Sequence, residues 1–368
     1  MRLRSSCLAL LVALSATACR GSAPTTPQGP PPGPHWTTLP TEAYQGKRDD
    51  LVFATAQVGF YGTGKGDLFR TDDGGASWAK VWSQPGTFIR SLGFVDAQRG
   101  WLGNVGTDDY PGVSDEVPLY ETSDGGTTWT PVELGGATVK GICSIDIVQT
   151  EHIHQGVLEP RTLIHAAGRV GGPTAIIRSI DGGQSWTVID MSAKAGMILD
   201  VKFMDANVGF VFAAAPTGAA MEGALILKTR DGGRRWSPVY QSGRAGENSW
   251  KASFPSPRVG YATVQSYDPE RSAQVIVKTT DGGDTWTEMP LVDDAEARQF
   301  GIGFMDEQIG WVGTMVGGFA TGDGGKTWAR TNLEPAANKI RVRAMDGTPM
   351  PTSIGTAVQR WSPPATAG

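Results

Sequence analysis

The sequence predicts an all-β protein, a seven-bladed β-propeller of four-stranded antiparallel blades closed by pairing its N- and C-terminal strands. Two alternating repeats and their interval predict it. The first reads Ser/Thr, any residue, Asp, Gly, Gly, two variable residues, Trp, and occupies 71–78, 122–129, 179–186, 229–236, 279–286 and 321–328. The second reads Phe, two residues to a turn, then Gly and an aromatic residue, and is clear at 94–101, 203–210, 254–261 and 304–311. Successive aspartates of the first repeat lie 42 to 57 residues apart. That interval suits four short strands, the content of one propeller blade.

The first repeat has the chemistry of a tight hairpin, here termed an Asp box. Its aspartates (Asp73, Asp124, Asp181, Asp231, Asp281 and Asp323) can accept hydrogen bonds from turn N–H groups, and the paired glycines tolerate positive φ. Its tryptophans (Trp78, Trp129, Trp186, Trp236, Trp286 and Trp328) leave the turn at the start of a strand and can bury a large ring. Six copies describe a scaffold, not a catalytic motif. The second repeat is a short apolar strand, a turn and a strand that opens on an aromatic residue. A fifth copy, 51–60, has lost its Asp; a sixth opens at Ser144-Ile145-Asp146 with its turn enlarged through 151–160; a seventh opens at Ala344-Met345-Asp346. Seven opening units face only six boxes. The segment His35-Trp36-Thr37-Thr38-Leu39 resembles the strand after each box, and 340–361 lacks that outer strand, so the termini together make the seventh blade.

Residues 1–18 read as a signal peptide, with basic Arg2 and Arg4, an apolar 8–14 core and Ala16-Thr17-Ala18 before Cys19. An ordinary signal peptidase would cleave there. A Cys at this junction also fits a lipoprotein box, although Ala16 stands where Leu is usual. Lipidation of Cys19 is the preferred reading because 19–34, rich in Gly, Pro, Ser and Thr, has the composition of a tether. The propeller then spans 35–361 and a disordered tail 362–368. With Cys7 and Cys19 so assigned, Cys143 stands alone beside Ile142 and Ile145, a buried structural thiol. The protein is expected to be exported and held at the cell envelope through Cys19, or to be periplasmic or secreted if unlipidated, and to be a monomer. A net charge of −5 without a dense Lys/Arg stripe argues against nucleic acid.

Phe-x-Asp-x-x-x-Gly-Trp followed by Thr-x-Asp-Gly-Gly-x-Thr-Trp, repeated around a seven-bladed ring behind a lipoprotein-like signal, resembles the photosystem II assembly and stability factor family of cyanobacteria and plastids. The likeness covers about residues 35–361. It implies a non-enzymatic propeller that binds a protein partner, in that family the precursor of the D1 subunit. The acidic insertion 108–116 and the enlarged third module depart from the pattern. Asp boxes also occur in sialidases and other glycoside hydrolases, where they are structural. The alternative is therefore a carbohydrate-active propeller, a sialidase-like hydrolase or a glycan-binding protein. A sialidase needs an arginine triad, a Tyr nucleophile with a Glu beside it and an acid/base Asp; Arg90, Arg169 and Arg298 share no context that marks them as such a triad.

Strand alternation sorts the loops onto two faces. The first turn and the Asp box of each blade share one face; the second-to-third loops and the crossovers share the other, which carries the variable sequence. Arg90, Lys140, Lys251, Arg298 and Arg341 lie just before their modules' opening positions on that second face. There they would ring the channel mouth to receive an acidic or carboxylate-bearing peptide of a membrane or envelope protein. Trp250, off the repeat pattern at a crossover, is the best single contact residue. The loops 107–117 and 267–272 would extend this face. The acidic residues of 108–116 lack calcium-loop spacing; His152, His154 and His165 fall in the third module, where a His-x-His pair could face a metal but no neighbouring Cys supplies a third ligand. No metal or cofactor is expected.

Overall fold

The computed structural model describes residues 34–363 except 109, 220 and 221. The signal peptide, Cys19, the tether up to 33 and the tail from 364 lie outside the described residues. Within them the chain forms seven four-stranded antiparallel sheets, each in simple up-and-down order. Blades 1 to 6 span 51–83, 89–131, 144–190, 197–241, 247–293 and 299–331. Blade 7 takes its inner three strands from 339–362 and its outer strand from His35–Thr38.

The closing strand pairs in register with Val358–Ser362, His35 opposite Ser362 and Thr38 opposite Gln359. Thr37 faces Arg360 as Ala79 faces Arg70 in blade 1, so Trp36 occupies the place of a box tryptophan. It is 2% exposed and meets Trp311 edge-on at 5.5 Å. The ring is sealed on the inner side as well: the N–H groups of Met345 and Asp346 donate to the carbonyls of Phe53 and Ala54 at 2.9 and 3.2 Å.

Each Asp box is a closed hydrogen-bond circuit. The leading Ser/Thr hydroxyl donates to the Asp carboxylate at 2.7–3.0 Å and accepts from the N–H of the second glycine. The first glycine N–H donates to a carbonyl of its own blade's first turn, as from Gly74 to Gln57 at 2.8 Å. Both box glycines have positive φ, and a Cβ on Gly75 would lie 2.7 Å from Leu39 of the neighbouring blade. Conformation and space therefore both demand Gly there.

The second repeat builds the contact between blades. Its Phe stacks on the ring that follows the Gly in the preceding blade: Phe94 on Phe60 at 3.7 Å, Phe304 on Tyr261 at 3.6 Å, Phe254 on Phe210 at 4.9 Å. The box Trp then stands edge-on to that Phe, at 90° for Phe94–Trp129 and 88° for Phe304–Trp328. Trp101 and Trp311 are buried in this packing, and Cys143 is buried as its neighbours predict. In blade 3 the stacking partner of Phe203 is His165, at 3.5 Å. Burial pushes the His165 imidazole down to about 3, so it is neutral at pH 7 and serves as an aromatic plate.

A second device joins the blades. The residue before the box Ser/Thr is a cation in four blades, and it reaches the turn carbonyls of the next one. Arg70 bonds to Ala97 and Gly125, Arg178 to Ala206, Lys228 to Gly282 at 2.6 Å and Lys278 to Gly324 at 3.0 Å. In blade 2, where Glu121 stands there, Arg99 supplies the bond to Gly182. Arg360 of blade 7 completes the circle onto Gly74. Ala320 holds the position in blade 6, whose neighbour has no box.

Candidate functional site

The inner strands start on the crossover face, and their first residues surround a cavity of about 490 Å³ at that mouth of the channel. Its floor is Trp250 against Phe300, edge-on at 5.8 Å. The Trp250 indole donates to Asn338 Oδ1 at 3.2 Å, and the Asn338 amide donates to the Asp49 carbonyl at 3.0 Å. Tyr110, Tyr267, Met197 and Met315 form apolar walls. Both tyrosines come from the loops that the sequence assigns to this face. Arg298 lies over the Tyr267 ring at 4.7 Å, and Lys47 and Arg48 supply further positive charge.

Among the described residues one carboxylate lines this cavity, and it is already engaged. Asp49 pairs with Arg90 at 2.5 Å, both side chains being buried. Burial opposes ionisation of Asp49, but the Arg90 and Lys47 charges outweigh it and hold the carboxyl below its ordinary range. Burial conversely lowers the Lys47 ammonium, against the pull of Asp49.

The six residues expected at one mouth separate into four groups. Trp250 and Arg298 line the cavity, although Trp250 lies within the strand Glu247–Ser253, only 4% exposed, and not at a crossover. Arg90 sits behind Trp250, 5.4 Å from its ring, and is buried. Lys251 and Arg341 are inside the channel, in the inner strands Glu247–Ser253 and Lys339–Arg343. Lys140 stays exposed on its crossover, 3.8 Å from Asp108. The expectation of a free cationic ring is thereby corrected. The reason is periodicity: three of the cations fall inside strands, whose alternation turns them inward.

What they meet there is a belt of acceptors that joins adjacent inner strands. Asp50 accepts the N–H of Leu92, Asp146 that of Phe203, Asp200 that of Ala252, and Ser253 that of Phe304, all at 2.8–3.0 Å. Arg341 neutralises Asp50 at 3.0 Å and Lys202 neutralises Asp146 at 3.1 Å. Asp200 has Lys339 at 3.6 Å and Lys251 at 3.9 Å, while the Lys251 ammonium donates to the Leu199 carbonyl at 2.5 Å. Burial alone would raise Asp50 and Asp200; the surrounding cations hold both carboxyls down. These carboxylates are fasteners. The opposite mouth holds a second cavity of about 270 Å³, lined by Asp200 and by Lys202, Lys251, Lys339, Arg341 and Arg343.

Lys47, Arg48, Tyr110 and Asn338 escaped the sequence reading as individual residues. Lys47 and Arg48 precede the first repeat and have no counterpart in other modules to mark them. Among the described residues no group of three or more His, Cys, Asp or Glu side chains is arranged to hold a metal.

No family model matches the chain. The photosystem II assembly lipoprotein Ycf48 of Synechococcus sp. (strain CC9902) is 25% identical over 194 residues, covering 48% of this chain and 50% of that protein. A xyloglucanase of Paenibacillus sp is 25% identical over 211 residues, 50% of this chain and 19% of that enzyme. The chain thus spans half of one curated relative and about a fifth of the other. A solved structure of YCF48 bound to D1 peptide superposes with a TM-score of 0.62 at 17% identity, over 92% of this chain and 97% of that one. In fold, the chain is a Ycf48-like β-propeller.

Proposed function

We propose that the protein is a non-enzymatic, exported propeller that binds a peptide segment of a membrane or envelope protein at the crossover-face cavity, in an assembly role like that of Ycf48. The observation that carries this reading is the make-up of the cavity. Aromatic and thioether walls suit apolar side chains, and Arg298, Lys47 and Arg48 suit a carboxylate beside them. Hydrolysis of a glycosidic bond by the usual route requires two carboxyl groups flanking the bond. Among the described residues each of the two cavities is lined by one, Asp49 or Asp200, and each of these is committed to a cation and to the fold. The likeness to the YCF48 structure with a D1 peptide supports a peptide as ligand; the xyloglucanase likeness supports the fold alone. Lipidation at Cys19 would hold the protein at the envelope.

The test is cross-linking mass spectrometry on the tagged, full-length protein recovered from gently solubilised membranes. A stoichiometric membrane-protein partner is expected, linked near Lys47 and lost in Arg298→Glu and Lys47→Glu, two variants that leave the floor of the cavity intact. Recovery of the same partner from both variants would refute this site. Recovery of the propeller alone, with turnover of a xyloglucan or sialoside, would favour the carbohydrate reading.

A further inference from the structure

The enlarged turn of blade 3 is a free-standing ribbon. Strands Ser144–His154 and Val157–Gly168 stay paired to their ends, His154 opposite Val157, around a two-residue turn in which Gln155 and Gly156 both have positive φ. The Thr162 carbonyl accepts the box N–H of Gly182, the bond that Gln57, Gln98 and Gln308 make in other blades. Thr162 is therefore level with the other first turns. The five residues from there to Val157 carry the tip roughly 16 Å beyond the Asp-box face at about 3.3 Å per residue.

That tip carries three bare apolar side chains beside His154, Gln155 and Gly156 in the sequence. Ile153 is 74% exposed, and Val157 and Leu158 are each 59% exposed. Residues 153–158 include no Asp, Glu, Lys or Arg. Ile153 and Leu158 are directly opposed and so share one side of the ribbon, while Val157 projects on the other. A protein groove would cover one side; a fluid apolar medium covers both. The part without Asp, Glu, Lys or Arg is three residues deep on each strand, about 10 Å, the depth of the interfacial region of a bilayer. The first pair of ionisable side chains behind it, His152 with Glu159 at 3.9 Å, would stay at headgroup level. The described chain also begins on this face, since His35 lies at the box end of its blade. An anchor at Cys19 would draw the same face toward the membrane.

We infer that the tip of the blade 3 ribbon, Ile153, Val157 and Leu158, inserts into the surface of a lipid bilayer and holds the Asp-box face against it. The peptide-binding cavity then faces away from the membrane, so this inference stands apart from the identity of the client. One inserted apolar tip gives weak, reversible binding; added to a lipid anchor it gives stable attachment and a fixed orientation.

The experiment uses the exported full chain carrying Cys19→Ser, which removes any lipid. An environment-sensitive fluorophore is placed at Ile153→Cys or, as a control on the opposite face, at Thr217→Cys, Cys143 being buried. Vesicles of phosphatidylethanolamine and phosphatidylglycerol should shift the emission of the fluorophore at 153 to the blue and leave that at 217 unchanged. In the unlabelled chain, Ile153→Ser, Val157→Ser and Leu158→Ser together should lower vesicle co-sedimentation by about tenfold or more. The inference is overturned if the fluorophore at 153 does not respond, if both positions respond alike, or if the triple variant sediments as the parent does. A response at 153 to a membrane protein in detergent, and not to vesicles, would assign the tip to a protein partner instead.

Discussion

The Asn332 side chain brackets Trp36: its Oδ1 accepts the Trp36 N–H at 2.9 Å and its amide donates to the Trp36 carbonyl at 2.7 Å. The closing strand is thus pinned to blade 6 as well as paired within blade 7. Trp36→Ala should cost about 3–5 kcal/mol, as for other buried aromatic truncations, and Asn332→Ala about 1–3 kcal/mol for the stranded backbone groups. Urea unfolding of both variants and of the double variant checks this. Losses that simply add would show that the two residues do not act as one latch.

Asp124 accepts from Thr122, from the N–H groups of Thr127 and Thr128 and from the Thr128 hydroxyl, at 2.6–3.0 Å. The hydroxyl and N–H of Thr128 are the main cause of a carboxyl held down at about 2. A depressed Asp contributes stability that is complete above its unfolded value near 4 and is lost as pH falls through the folded one. Asp124→Ala should therefore lower stability by on the order of 1–2 kcal/mol at pH 7, with the gap to wild type closing between about pH 4 and pH 2. A gap that persists at pH 2 would assign the loss to packing.

Lys339 is buried beside Asp200, and burial pushes its ammonium down to about 7. Unfolded, it would titrate near 10.4. Between those values the unfolded chain binds a proton that the folded chain does not, so this residue makes stability rise with pH from about 7 to about 10. In Lys339→Met that component should vanish. The wild-type minus variant difference, followed by chemical unfolding from pH 6 to pH 10, should grow in favour of wild type at up to about 1.4 kcal/mol per pH unit. A flat difference would show that Lys339 keeps its proton throughout.

Lys228 couples blades 4 and 5 by donating to Gly282 and pairing with Asp284 at 2.5 Å. Lys228→Met should cost about 1.5–3 kcal/mol, the worth of a charge-assisted hydrogen bond. The resulting loss of amide protection should appear in the box at 279–286, in the blade that receives the bond. Hydrogen exchange that rises instead in blade 4 alone would rule out a role for this lysine in coupling the blades.

The blades, their closure and the two faces were legible because the Asp-box circuit needs Ser/Thr, Asp and Gly-Gly in fixed order, and the Phe-to-ring stack needs its two aromatics in fixed positions. Trp250 and Arg341 were misplaced because a sequence window of six residues does not resolve where a strand begins, and one position in a strand decides inward or outward. The cavity is assembled from residues with no repeat to flag them: Lys47 before the first blade, Tyr110 in an insertion, Asn338 ahead of the last inner strand. The cation before each box was visible in four of the modules, at Arg70, Arg178, Lys228 and Lys278. Its purpose was not, because its acceptor is a main-chain carbonyl, which every residue possesses.

Those cations also give the ring a direction. Blades 1 to 5 each hold out a donor on one side and an acceptor on the other, so a duplicate of one of them would arrive with both halves of its own coupling and could be accepted between neighbours joined in this way. The junction of blades 6 and 7 breaks the rule, with Ala320 in place of the cation and no box to receive one. There the side chain of Asn332 and the bond from the Glu334 N–H to the Gln359 side chain take over. Growth or shrinkage of the ring by whole modules is thus compatible with every junction but this one, which marks where the molecule counts its blades.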